Sequence, residues 1–426
     1  MLESPKNDRF PMVRYVPYIG VIWAVNEANK LGFGRDPGWC NLGQGQPEVG
    51  PIEGAPERIL HVDMELNDAG YGPVGGTLEM REAVADWINR THRRGRKPYT
   101  AENISFAAGG RLALTRLFGI FADGAKIGYR NPDYTAYEDY LFGQRQRCAL
   151  SELRAGEDVN FNVTAEAFDA FLHNERPDAF LFSNPCNPTG QVADEPELER
   201  VLASARRAKC LLGIDEFYSN YVYKPDGSPA DGPISALSVV NDPDEDPLVV
   251  FNGMTKGFRY AGWRAGWAAG PAYVIDMINR SASAIDGGPS MMVQRASMKA
   301  LEPGRAEAEL EATRRVFAKK RRLMLDGLAK LGIHTAADPL GTFYVWASVA
   351  DLPGGLDDSE RFFRACLEKK VMTVPGHFFD LRPWRSRPSP EPFRSWVRFS
   401  YGPDAGTVAD GLRRIGEVVA EARQRA

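Results

Sequence analysis

Asn252-Gly-Met-Thr-Lys256-Gly-Phe-Arg-Tyr-Ala-Gly262-Trp-Arg264-Ala-Gly266-Trp267 follows the apolar run Leu248-Val-Val-Phe251. The run reads as a strand, so the lysine sits in a loop just past a strand end. A lysine placed there can leave water, lose its proton and form a Schiff base with an aldehyde. Arg264 stands between Gly262 and Gly266, where its planar fork has backbone room to clamp a phosphate. An amine for an aldehyde and a guanidinium for a phosphate together describe pyridoxal 5′-phosphate (PLP). Taken alone, the segment also fits an exposed Lys-Arg loop.

Three upstream segments narrow the choice. Asn184-Pro-Cys-Asn187-Pro-Thr-Gly190 follows the apolar run Ala179–Ser183, and its paired Asn-Pro steps set a tight turn at a strand end. Asp215-Glu-Phe-Tyr218 follows a second run, Cys210–Ile214. Gly109-Gly110 precedes a helical pattern starting near Arg111, where backbone N–H groups can hold a phosphate. Each has a plain alternative. A strand-end aspartate often caps a helix, and an Asn-Pro step can be only a turn.

With these four segments in this order, the chain resembles the class I/II aminotransferases, the aspartate-aminotransferase-like branch of fold type I PLP enzymes. The resemblance runs from about Asn41 to Tyr401. It includes Leu42-Gly-Gln-Gly45-Gln-Pro47, Tyr71-Gly-Pro-Val-Gly-Gly76, Pro132-Asp-Tyr134-Thr-Ala-Tyr137 and Val397-Arg398-Phe-Ser400. It implies an α/β large domain, with a mostly parallel sheet covered by helices on both faces, and a smaller α+β domain. It also implies roles. Lys256 forms the Schiff base and moves the substrate Cα proton. Asp215 keeps the pyridine nitrogen protonated, and Tyr218 and Asn187 bond the phenolic oxygen. The Gly110, Arg111 and Leu112 N–H groups, Thr255 and Arg264 hold the phosphate, and Tyr134 stacks on the ring. Arg398 binds the substrate α-carboxylate, with Gly45 giving it backbone room. Tyr71 matches the tyrosine that reaches the phosphate of a neighbouring subunit, which requires a homodimer. By residue type alone, Tyr134 also fits a core tyrosine, Tyr71 a turn tyrosine and Arg398 a surface ion pair.

Composition sets outer limits. The chain has 426 residues, 43% hydrophobic and 25% charged, the balance of an ordinary soluble globular protein. A net charge of −4 provides no basic field for nucleic acid. Five cysteines without CxxC spacing suit a reducing cytosol better than a disulfide framework. Met1–Phe10 shows no signal-peptide pattern, no apolar run reaches membrane-span length, and a cytoplasmic enzyme is expected. The five histidines are scattered, which argues against a histidine-rich metal site.

Strand-like runs at Lys126–Tyr129, Ala179–Ser183, Leu211–Ile214, Leu248–Phe251 and Ala265–Ala269 alternate with helical patterns such as Glu195–Lys209 and Tyr273–Ala284. That alternation predicts a parallel sheet with ligands beyond its strand ends. A long helix is expected over Arg305–Leu331, with Leu310, Phe317, Met324, Leu328 and Leu331 on one face. Strands at Thr342–Trp346, Val371–Val374 and Ser395–Ser400 and helices near Glu360–Lys369 and Val408–Val419 complete the pattern. The expected division is residues 1–49 as a segment joining the small domain, 50–300 as the large domain and 301–426 as the small one. The acidic run Asn241–Pro247 reads as a solvated loop. Phe378–Trp396, with four prolines and four arginines, reads either as a lid that senses substrate charge or as a solvated loop. Arg259 and Tyr260 are bulky for their position, and their direction is not set by sequence.

The leading function is transfer of an amino group from an L-amino acid to a 2-oxo acid. The same motifs also serve β- or γ-elimination, replacement or cyclisation like that of aminocyclopropane-carboxylate synthases. A non-catalytic sensor is disfavoured by the intact residue set. Substrate specificity would lie in the N-terminal segment near Tyr15–Ile19, the Phe378–Trp396 loop and a partner subunit.

Overall fold

A computed structural model describes residues 12, 13, 15–386 and 388–425. The readings of residues 1–10 and of Arg387 lie outside these residues. Seven strands form the central sheet, in the spatial order Ile104–Ala107, Gly266–Ala269, Leu248–Gly253, Leu211–Asp215, Ala179–Ser183, Lys126–Asn131 and Ala149–Arg154. Gly266–Ala269 runs antiparallel to both neighbours, and every other pairing is parallel. Alternate side chains of these strands serve two cores. Leu181, Val249 and Phe251 pack with the helices Gly110–Gly119 and Ala272–Ile285. Phe180, Phe182, Leu212, Ile214 and Val250 pack with Leu78–His92, Ala165–Glu175 and Glu195–Ala208. The strands carry apolar groups on both faces because helices cover both.

The reversal at Gly266 follows from close backbone approach. A Cβ on Gly253 would lie 2.5 Å from the Ala265 carbonyl oxygen, and one on Gly266 would lie 2.9 Å from the Gly110 nitrogen. Only glycine lets the chain fold back so tightly beside the Gly109–Gly110 turn. The hairpin was not foreseen, because an apolar run carries no sign of strand direction.

The long helix spans Arg305–Leu331, as its Ala-, Leu-, Arg- and Glu-rich sequence predicts, and stops at Gly332 in left-handed conformation. Leu310, Phe317, Met324 and Leu328 are buried, while Leu331 is half-buried. After it, four antiparallel strands run in the order Val374–Pro375, Trp396–Ser400, Tyr344–Ser348, His334–Thr335. The expected strand Val371–Val374 is divided. Val371–Met372 pairs in parallel with Cys40–Asn41, and Val374–Pro375 joins the four-stranded sheet. The C-terminal helix Ala405–Arg425 buries Val408, Leu412, Ile415 and Val419.

The acidic run is a loop that exposes Asn241, Asp244 and Glu245, but Asp246 departs from the expectation: it is buried, paired with Arg206 and bonded by the Asn241 N–H, which fastens the loop. Among the described residues no helix is long and apolar enough to cross a membrane.

Phe317 is wholly buried, with its ring centroid 4.9 Å from that of Tyr221 and 5.9 Å from that of Phe343. Phe317→Ala should lower stability by about 3–5 kcal/mol, read as a reduced urea midpoint with an unchanged slope.

Candidate active site

Parallel register brings the motifs together. Ser183 lies opposite Asp215, and Asp215 opposite Phe251, so the Asn187, Asp215 and Lys256 loops leave the sheet at one edge. A cavity of about 880 Å³ opens there, lined by Gly45, Gly110, Arg111, Tyr134, Asn187, Asp215, Tyr218, Thr255, Lys256, Arg264 and Arg398. Of the expected site residues only Leu112 and Tyr71 do not line it. Leu112 offers a backbone N–H from the first helical turn, and Tyr71 is wholly exposed on this chain.

Lys256 donates from Nζ to the Gly45 carbonyl, and the nitrogen lies 5.6 Å from the Tyr218 ring centroid. Burial, aided by Arg398, pushes its amine down to about 7, against the opposing pull of Asp215. Asp215 ends its strand, with Oδ2 accepting from the Tyr137 hydroxyl (2.9 Å) and Oδ1 from the Phe217 N–H (3.2 Å). Burial pushes its carboxyl up to about 6, and those two donors only partly oppose this. Its carboxylate is thus bonded by neutral donors and suited to a cation brought beside it.

Arg398 is held on three sides. Nη1 donates to Asn187 Oδ1 (2.9 Å), Nη2 to the Gly43 carbonyl (2.8 Å), and Cζ lies 4.0 Å from the Tyr344 ring centroid. Its Nε is buried without a partner. With Oδ1 of Asn187 accepting from Arg398, its NH2 group is left to donate to a ligand. The Tyr218 and Tyr344 hydroxyls share a 2.7 Å hydrogen bond.

At the other end, Gly109 has φ +96°, and a Cβ there would lie 2.6 Å from Arg264 Nη2. No side chain caps the helix it precedes, which leaves the first-turn N–H groups for a ligand. Arg111 adds its side chain, with Nε and Nη2 donating to the Tyr134 hydroxyl at 3.3 and 3.2 Å. Among the described residues no carboxylate forms an ion pair with Lys256, Arg111, Arg264 or Arg398, although Asp215 and Asp139 line the same cavity.

Several participants escaped the sequence reading. Nothing in the sequence around Tyr137 announces its bond to Asp215, and nothing in the strand pattern around Tyr344 announces its place against Arg398. Gly43 is the tight glycine of the Leu42–Pro47 stretch: a Cβ there would lie 2.8 Å from the Thr373 carbonyl, whereas one at Gly45 meets only the Tyr344 hydroxyl at 3.7 Å. Arg259 turns away from the cavity, donating to Glu309 (2.8 Å) and to the Glu48 and Gly50 carbonyls. Tyr260 stacks on Trp263 at 3.6 Å. No described residue of Phe378–Trp396 lines the cavity. Arg382, Arg385 and Arg394 are paired with Asp380, Glu138 and Asp358, and Arg385 also reaches Asp139 at the cavity.

A family model for aminotransferase class I and II matches residues 37–415. The chain belongs to that family. It is therefore a PLP-dependent transferase that moves an amino group between an amino acid and a 2-oxo acid. The chain is 29% identical to a valine–pyruvate aminotransferase of Mycobacterium tuberculosis, covering 96% of this chain and 98% of that protein. It is 24% identical to an aspartate aminotransferase of Pyrococcus abyssi, covering 89% and 92%. Thermus thermophilus aspartate aminotransferase, solved with maleate, matches at TM-score 0.76 and 25% identity, covering 95% of this chain and 97% of that one. These named relatives favour amino transfer over the elimination and cyclisation chemistries. The donor set fits the cofactor: uncapped N–H groups and unpaired guanidiniums suit a phosphate, a depressed lysine suits an aldehyde, and a buried carboxylate suits a ring N–H.

Labelling of Lys256 in the cofactor-free protein by a small acylating reagent should be half-maximal near pH 7, well below the ordinary lysine range. Peptide mass analysis across a pH series checks this; a midpoint above about 9 contradicts it.

Proposed function

We propose that this aminotransferase works through Lys256, with PLP held between Asp215 at one end and Arg264 and the Gly109–Gly110 helix start at the other. The observation that carries this reading is the cavity's charge pattern: three guanidiniums without an acid partner, a lysine near neutral pKa, and the carboxylate of Asp215 bonded only by neutral donors, while Asp139 is paired with Arg385. Bound PLP supplies an aldehyde for the amine and a ring that accepts electrons. Asp215 keeps the proton on the ring nitrogen. Tyr218 and Asn187 donate to the phenolic oxygen, while Tyr134 covers the ring face. The N–H groups of Gly110, Arg111 and Leu112, the Thr255 hydroxyl and the Arg264 guanidinium would hold the cofactor's phosphate.

Arg398 orients the amino acid by its α-carboxylate, using the N–H hydrogens that Asn187 and Gly43 leave free, with Gly45 alongside. Lys256, neutral over much of its range at physiological pH, takes the proton from the substrate Cα and returns it on the cofactor side. One nitrogen thus serves first as the anchor and then as the base.

The same reading divides the chain into a segment 1–49 joined to the small domain, a large domain 50–300 and a small domain 301–426. The Cys40–Asn41 pairing with Val371–Met372 supports the first of these. Tyr71, wholly exposed here, reaches the phosphate site of a second copy in a homodimer. Five buried, unpaired cysteines suit a cytoplasmic enzyme.

The test is the absorbance of the purified, PLP-loaded protein as single amino acids are added without any oxo acid. A loss of the visible band that a 2-oxo acid restores supports transamination, whereas ammonia released with the band retained supports elimination. Asp215→Asn separates structure from chemistry. The folded carboxyl sits near 6 and the unfolded one near about 4. Between those values the unfolded chain binds fewer protons, so the native carboxyl costs stability as pH rises through that window. The cofactor-free variant should therefore gain stability relative to the parent from about pH 4 to 6 and keep the gain at pH 7, while turnover falls at least about 100-fold. Thermal melts across pH and steady-state rates check the two halves.

A further inference from the structure

One wall of the cavity has no counterpart among the groups that hold the cofactor or the α-carboxylate. It is made by Pro17, Tyr18, Ile19, Val21 and Ile22, at the start of the helix Gly20–Lys30. This wall is firmly placed. Gly20 takes φ +57°, and a Cβ there would lie 2.8 Å from Thr135 Oγ1, so the helix start presses against the turn after Tyr134. One turn on, Trp23 packs against Phe363 and Phe378, with ring centroids 5.2 and 5.0 Å away. Ile19 and Ile22 lie three residues apart on that helix start, on the cavity side of this anchor.

The wall is apolar and partly bare. Tyr18 is 57% exposed and Ile22 48% exposed. Apolar side chains lining a cavity but left to water gain free energy when an apolar group covers them. Among the described residues no cation stands on this wall. Of the four in the cavity, Arg398 is tied to Asn187 and Gly43, and Lys256 to Gly45. Arg264 lies against Gly109, and Arg111 is bonded to Tyr134 at the phosphate end. The charged neighbour near the Thr135 turn is Asp139, which adds negative charge and pairs with Arg385. A side-chain carboxylate placed here would gain no cation from this wall and would lie near the carboxylate of Asp139.

We infer that Pro17–Ile22 forms the side-chain pocket of the substrate and selects amino acids with bulky apolar side chains over dicarboxylic ones. This rests on the transamination reading above and adds to it the substrate class. The selection is built by the N-terminal segment, so the specificity of the site is set by residues far in sequence from its chemistry.

The test uses the PLP-loaded enzyme with leucine, alanine and aspartate in the half-reaction without oxo acid. It also uses the dissociation constants of 4-methylpentanoate and succinate, which report binding apart from turnover. Leucine should exceed aspartate in kcat/KM by at least about 100-fold, and 4-methylpentanoate should bind at least about tenfold tighter than succinate. Ile22→Arg changes a half-exposed position, so folding should persist, and it should lower the leucine-to-alanine ratio at least about tenfold. Aspartate turned over as well as leucine, or succinate bound as tightly as 4-methylpentanoate, overturns the inference. So does aspartate turnover that is lost in Arg111→Gln, since the side chain would then be read at the phosphate end. If no amino acid, alanine included, alters the cofactor band, transamination itself fails and the pocket assignment falls with it.

Discussion

A guanidinium buried without an acid is expensive to maintain, and much of this site is arranged around keeping Arg398 in that condition. Water is replaced by one amide oxygen, one carbonyl and one aromatic face, which satisfy part of the donor fork and leave Nε unbonded. None of these partners neutralises the charge. The positive potential therefore stays in the cavity, and it is one cause of the depressed amine of Lys256. A binding group for an anion and the tuning of a base are in this way the same piece of electrostatics.

The sheet explains why these groups meet. Parallel strands in register deliver their loops at one edge, so three strand-end motifs converge without any long excursion of the chain. The one antiparallel strand has a different effect. By turning back at Gly266 it returns Arg264 beside the Gly109–Gly110 turn, and two glycines allow backbone to touch backbone there. A strand in the common direction would have carried Arg264 to the far edge.

Much of this was legible from the sequence because it is local. Apolar runs ending in Asn, Asp or Lys mark strand ends, and a 27-residue amphipathic pattern marks the long helix to the residue. What was not legible is what depends on approach through space. The bonds from Arg398 to Asn187 and from Lys256 to Gly45 each join residues 211 apart, and nothing near either residue announces its partner. Arg259 looked suspicious beside Lys256, yet its burial with Glu309 could be seen only once the long helix was in place. Asp246 sat in a run that reads as solvent-exposed, and its pairing with Arg206 depends on the end of a helix some forty residues earlier. Strand direction after Lys256 was likewise open, since alternation of apolar residues is the same either way.

The short stretch that carries Gly43, Gly45, Glu48 and Gly50 hangs by its carbonyl oxygens from Arg398, Lys256 and Arg259. At its beginning Cys40–Asn41 is stitched to Val371–Met372. From Asn41 to Gly45 a fully drawn chain can reach only about 14 Å. The stretch is therefore a short tether, fixed at one end to a strand that leads into the C-terminal sheet and at the other to the reactive nitrogen. A rotation of that sheet cannot proceed far before the slack is gone and the pull arrives at Gly45. The edge of the smaller sheet and the reactive amine are in this way joined by one short run of backbone that ends in a single carbonyl.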